Sequence, residues 1–130
     1  MKKMKKIIST TKAPSAIGPY NQATALGNLV FTSGQIPLVP ETMELVEGGI
    51  NEQTRLVMEN LKAVIEEANS SMDNVLKTTC YLSSMDNFVA FNTIYAEYFS
   101  AEGAPARATV AVKTLPKNVL VEVDAIAYVS

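Results

Sequence analysis

Ala104-Pro105-Ala106-Arg107-Ala108-Thr109-Val110-Ala111-Val112 and the run from Val119 to Val129 set the last part of the chain as extended backbone. Pro105 biases Ala104 toward extended backbone, and the β-branched residues after it suit a pleated, half-buried surface. Two strands, Arg107 to Lys113 and Val119 to Val129, are predicted, joined through Leu115-Pro116-Lys117-Asn118 as a closing hairpin. With a loop from Thr114 to Lys117, Ala111 lies opposite Leu120, Thr109 opposite Glu122 and Arg107 opposite Asp124. Opposed residues of an antiparallel pair share one face. The expected hairpin therefore gathers a cation, a hydroxyl and two carboxylates on one side of the sheet. A slip of one residue sends the acids to the other side.

Arg107 is one of two arginines, the other being Arg55. Its guanidinium keeps its proton and presents a planar fork that fits a carboxylate or a phosphate. A charge at the head of a neutral strand needs a partner. Two readings stand: an internal ion pair with Glu122 or Asp124, or a ligand held among the short alanine side chains.

Working outward, Lys6 to Thr10 is a first strand, and Asn21 to Leu26 and Leu29 to Ser33 are two more, joined by the tight-turn pair Gly27-Asn28. Pro37 to Gly49 reads as loop. Val57, Leu61, Val64, Ile65 and Ala68 then fall on one helical face, with Glu59, Lys62, Glu66 and Glu67 elsewhere and Asn51 as N-cap. Val75 to Leu82 is a strand. Phe88, Phe91, Tyr95, Tyr98 and Phe99 mark a second amphipathic helix, capped by Ser84 or Asp86. The order β-β-β-α-β-α-β-β predicts one α+β domain over residues 1–130, with both helices packed on one face of the sheet.

Composition narrows the function. Hydrophobic residues make up 48% and charged residues 18%, which excludes disorder and points to apolar surface covered by another subunit. The start from Met1 to Ile8 is basic but has no apolar h-region, so it is not read as a secretory signal. No apolar run reaches membrane-spanning length. A lone cysteine, Cys80, implies a reducing, cytoplasmic setting. The net charge of −2, with lysines concentrated near the start, offers no nucleic-acid footprint. The chain has no histidine, which removes histidine-based triads, histidine zinc sites and paired-histidine RNA cleavage. Chemistry must rest on carboxylates, hydroxyls, backbone groups, Arg107 and water, with no metal or organic cofactor.

Two further motifs break ordinary strand and turn chemistry. Ala16-Ile17-Gly18-Pro19-Tyr20-Asn21-Gln22-Ala23 sets a phenol after a rigid Gly-Pro unit, and Thr32-Ser33-Gly34-Gln35-Ile36-Pro37 puts a glycine where backbone amides can approach a ligand. Taken in order, IGPYNQA, TSGQIP, PARATVAV and LPKNVLVEVDAIA resemble the Rid/YjgF family, specifically its RidA group of enamine/imine deaminases. The resemblance spans essentially the whole chain, including Asp86 to Asn92.

The resemblance implies a chorismate-mutase-like α+β fold and a homotrimeric barrel assembly with sites in clefts between subunits. It implies hydrolysis of 2-imino or 2-enamino acids to 2-keto acids and ammonia. Arg107 matches the arginine that holds the substrate carboxylate, and Glu122 the acid that orients water or handles its proton. Tyr20 matches a tyrosine lining the cleft, and Gly34, with Ser33 beside it, a glycine whose backbone meets the ligand. Phe88 and Asn92 match residues that line the cleft from the neighbouring subunit. Thr109 departs from the pattern, since many relatives carry cysteine there. A non-catalytic trimeric module binding small carboxylates is the alternative. A ribonuclease or translation inhibitor is a further one, which the missing histidines and the acidic balance disfavour.

Overall fold

The computed structural model describes residues 4–130; Met1 to Lys3, which open the basic N-terminal run, lie outside the described residues. Six strands form one sheet: β1 (Lys6–Ile8), β2 (Ala23–Leu26), β3 (Leu29–Thr32), β4 (Val75–Leu82), β5 (Ala106–Ala111) and β6 (Val121–Tyr128). Two helices, α1 (Ile50–Glu67) and α2 (Phe88–Tyr95), complete the α+β order expected from the sequence. In space the strands run β1-β2-β3-β6-β4-β5, antiparallel except for the parallel pair β4–β5. The β2–β3 hairpin turns at Gly27-Asn28, where Gly27 takes the left-handed conformation (φ 60°).

Both helices cover one face. Val57, Met58, Leu61, Val64 and Ile65 of α1 and Phe91 of α2 pack against Val30, Cys80, Leu82, Val121, Val123 and Ala127 of the sheet. The periodicity of α1 fixes which side it buries. The expected cap does not hold: Gly49, not Asn51, is the N-cap, and Glu52 folds back to accept the Gly49 N–H at 2.8 Å. That bond lowers the carboxyl pKa of Glu52. The helix ends in a Schellman arrangement, with Asn69 left-handed (φ 64°) and the N–H of Ser70 donating to the Ile65 carbonyl at 3.1 Å. The N-cap of α2 is Asn87, not Ser84 or Asp86; Ser84 instead caps the 3₁₀ turn Met85–Asn87 that leads into α2, its Oγ accepting the N–H of Asp86 at 3.1 Å.

The closing hairpin is not formed. β5 and β6 are not neighbours, because β4 lies between them and pairs with both. The β4–α2–β5 passage is a crossover that sets β5 parallel to β4. Segment 112–120 then carries the chain across the end of β4, with Val112 N–H donating to the Leu82 carbonyl and Ser83 N–H to that of Leu120. Lys117 (φ 55°) and Asn118 (φ 56°) make the reversal. β6 takes a central place, hydrogen-bonded to β3 and β4, and buries every second residue. Arg107 therefore lies opposite Thr78, not Asp124, and Glu122 opposite Tyr81, not Thr109.

The face away from the helices is uncovered in the single chain. It carries Ile7 (52% exposed), Phe31 (43%) and Val110 (45%), together with Tyr81, Ile126 and the carboxylates of Glu122 and Asp124.

Candidate functional site

Arg107 stands on the edge strand β5, on the helix side of the sheet. Its register partner Thr78 is fully buried on that side. The guanidinium Nη1 donates to Oδ1 of Asn92 at 2.7 Å, and its carbon lies 4.8 Å from the ring centre of Tyr95 and 5.5 Å from that of Phe88. Phe88, Asn92 and Tyr95 follow the spacing i, i+4 and i+7, so α2 presents all three along one stripe. Among the described residues Arg107 has no carboxylate partner; the ion pair present joins Arg55 to Glu97 at 3.1 Å. A cavity of about 570 Å³, lined by Asn92, Tyr95, Phe99, Ala104, Pro105 and Arg107, opens beside it.

Thr109 lies two residues along the strand, paired with Cys80, and its buried Oγ1 has no hydrogen-bond partner among the described residues. Burial pushes the Cys80 thiol up to about 11, outweighing the pull of the Thr78 hydroxyl and Arg107, so the sulfur stays protonated and inert near neutrality.

Glu122 belongs to a second group, on the open face. Gln35 bridges to Val123 through bonds of 2.8 and 3.2 Å, which lays Ser33-Gly34-Gln35 along β6. Gly34 then sits directly under the carboxylate: a Cβ at that position would lie 2.0 Å from Oε2 of Glu122. Glycine leaves room there for the carboxylate to stay where it is. Ser33 donates its hydroxyl to the carbonyl of Asn21 and its N–H to that of Gln22. Tyr20 is half exposed after Gly18 (φ 125°), and its hydroxyl accepts the N–H of Ile17 at 3.3 Å. Tyr20 and Gly34 share a cavity of about 510 Å³ with Ile17, Ile36, Leu38 and Met43.

Burial raises the carboxyl pKa of Glu122, and the negative charge of Asp124 raises it further. Asp124 is itself raised by burial, against the opposing bond from Tyr81, which donates at 3.3 Å. Glu122 thus holds a proton more readily than an ordinary glutamate.

The expected convergence of Arg107, Thr109 and Glu122 on one face is overturned. Side chains alternate along β4, so Arg107 and Thr109 share the face of Thr78 and Cys80, while Glu122 and Asp124 share that of Tyr81 and Thr79. Phe88 and Asn92, which the resemblance assigns to a neighbouring subunit, contact Arg107 of their own chain. In the other group Gly34 lies against Glu122, and Tyr20 shares with Gly34 a cavity that Glu122 does not line. Among the described residues no cluster of His, Cys, Asp or Glu is arranged to hold a metal ion, and no described helix is long and apolar enough to cross a membrane.

The close contact at Gly34 yields a test. Gly34→Ala is expected to fold, because the obstructing atoms are the far end of a flexible side chain, but to swing the Glu122 carboxylate out of place. If Glu122 takes part in the reaction, turnover falls as far as in a Glu122→Gln variant while the melting temperature stays close to wild type. Full turnover in Gly34→Ala would show that the position of this carboxylate does not matter.

The family model described as Endoribonuclease L-PSP matches residues 10–129. A RutC family protein of Pyrococcus abyssi is 52% identical over 124 residues, covering 95% of this chain and 97% of the relative. The Escherichia coli protein TdcF, named as a candidate reactive intermediate deaminase, is 44% identical over 126 residues, covering 95% and 97%. The crystal structure of E. coli TdcF with bound serine superposes with a TM-score of 0.90 at 42% identity, covering 96% of this chain and 99% of that one.

Proposed function

The chain belongs to the RidA/YjgF, or endoribonuclease L-PSP, family, and from that membership we propose that it hydrolyses 2-imino and 2-enamino acids to 2-keto acids and ammonia. The observation that carries the reading is the pair of half-sites on opposite faces: a guanidinium without an acid partner on one, and a carboxylate with raised proton affinity on the other. One chain cannot present both to a small molecule, so the working site requires Arg107 of one copy and Glu122 of another. A homotrimer with sites in its clefts meets that requirement, and the uncovered apolar face supplies surface for the contact.

In this scheme Arg107 takes the substrate carboxylate in a bidentate grip, which fixes the reacting carbon. Water adds to the C=N bond, its oxygen bonding to carbon and one proton passing through the Glu122 carboxylate to nitrogen. The resulting carbinolamine gives up its hydroxyl proton, again through Glu122, to the nitrogen; the C–N bond breaks, ammonia leaves and the C=O bond of the keto acid forms. An imine is already electrophilic, so orientation and one proton carrier suffice. The serine bound in the TdcF structure is a small 2-amino acid carrying the same carboxylate. Paired-histidine RNA cleavage has no residues to run on here, since the chain contains no histidine.

The test generates imines in place with an amino-acid oxidase and traps them with semicarbazide. Added protein is expected to diminish the trapped signal, and an Arg107→Ala variant to leave it unchanged. A wild-type protein that binds 2-keto acids yet leaves trapping untouched would establish the binding-module reading instead.

A further inference from the structure

We infer that Tyr95, locked by Thr78, is the positioning residue that sets the pose of the Arg107 guanidinium. The inference rests on the role proposed above for Arg107, and it adds two residues with no assigned part in it. Thr78 is the register partner of Arg107 across β4 and β5. Its Oγ1 lies 2.7 Å from the hydroxyl of Tyr95 in a buried hydrogen bond, and Thr78 and Tyr95 are 0% and 6% exposed. The ring of Tyr95 in turn stands 4.8 Å from the guanidinium carbon. Strand partner, phenol and cation close a triangle, so the ring under the charge is fixed from the same strand position that carries the arginine.

Each link has a physical consequence. Burial keeps the phenol protonated by raising its pKa, against smaller opposing effects of the Thr78 bond and the Arg107 charge. The hydrogen bond removes the freedom of the ring to slide along α2, and tilted stacking on Phe91 (5.4 Å) and Phe99 (4.9 Å) holds its sides. A guanidinium resting on a ring face is attracted by the ring quadrupole. Asn92 takes one N–H of Nη1 at 2.7 Å, which leaves the other N–H donors of the fork for a two-pronged ligand. Without the ring, an arginine on an exposed edge strand samples many rotamers, and the carboxylate grip loses its direction.

The test uses Tyr95→Phe, Thr78→Val, their double variant and Tyr95→Leu in the full chain. Two readouts are combined: steady-state imine hydrolysis, and the Nε–H signal of Arg107 in protein labelled with 15N-arginine, whose spectrum holds only Arg55 and Arg107. Tyr95→Leu is expected to raise KM about tenfold with kcat within about twofold, as fits loss of a cation–ring contact that acts on ligand binding. It should also shift and broaden the Arg107 Nε–H signal. Tyr95→Phe and Thr78→Val are each expected to raise KM about threefold, and the double variant no further, because either one removes the same bond.

Unchanged KM and an unchanged Arg107 signal in a folded Tyr95→Leu protein overturn the inference. If that variant does not fold, the two milder substitutions decide it: additive effects, or none, contradict the triangle. Should wild type show no imine turnover, the proposed reaction falls separately. The Arg107 signal and the calorimetric affinity for 2-oxobutanoate then still decide whether Tyr95 sets the guanidinium.

Discussion

Arg107→Ala is expected to lower kcat/KM for a small 2-imino acid by about three orders of magnitude while leaving the melting temperature nearly unchanged. Two charge-assisted hydrogen bonds to the substrate carboxylate, at roughly 1.5–3 kcal/mol each, convert to about two to four decades of rate. Stability should hold because the guanidinium sits on an exposed edge strand and neutralises no buried acid. Arg107→Lys keeps the charge but loses the planar fork, the bond geometry to Asn92 and the contact with two rings, so it should recover only a small part of the loss. Steady-state kinetics with oxidase-generated imines, paired with thermal melts, separates the two effects. Wild-type kcat/KM in either variant would remove Arg107 from the reaction.

Glu122→Gln is the second large effect. General acid–base work contributes about 10²–10⁴-fold, so kcat should fall by two orders or more while KM moves little, since the carboxylate grip remains. Wild-type activity should decline as pH falls through the raised pKa of Glu122, and that acid limb should vanish in the glutamine variant. The stability sign runs the other way from a salt-bridged acid. Because burial and Asp124 raise the folded-state pKa, folding disfavours the carboxylate, and its destabilising contribution appears as pH rises above the ordinary carboxylate range. Glu122→Gln should therefore melt higher than wild type near neutrality, and the difference should shrink as pH is lowered through that range. A lower melting point at neutral pH would show that the carboxylate is stabilised by a partner.

Which elements form was legible in the sequence, because periodicity reports it directly. The alternation in Val121 to Tyr128 and the helical stripe from Val57 to Ala68 read correctly to within a residue or two. Which strands pair was less legible. Two strands separated by a short polar loop suggested a hairpin, but Val75 to Leu82, a helix and then Ala106 to Ala111 is equally the pattern of a parallel crossover, and that signal outranks loop length. Missing it turned Arg107 toward the acids, when the observed register turns it toward α2.

Phe88 and Asn92 enter the expected site by resemblance alone, and their contact with Arg107 of the same chain depends on the crossover. Tyr95, three residues beyond Asn92 on the same stripe, stands out in the sequence only as part of the amphipathic pattern of the second helix. Its pairing with Thr78 joins residues on different elements, which no local pattern reports. Gly34 was placed near a ligand by resemblance, whereas its fit beneath Glu122 appears only once Gln35 is bridged to Val123.

If Arg107 of one copy and Glu122 of another complete one site, Arg107→Ala and Glu122→Gln proteins unfolded and refolded together in equal amounts should hydrolyse imines. Neither variant alone is active, but in randomly mixed rings about a quarter of the sites join an intact arginine from one copy to an intact glutamate from another. Recovery of about a quarter of wild-type kcat is the predicted result. A mixture as inactive as its parents, with mixed oligomers verified by mass, would contradict it.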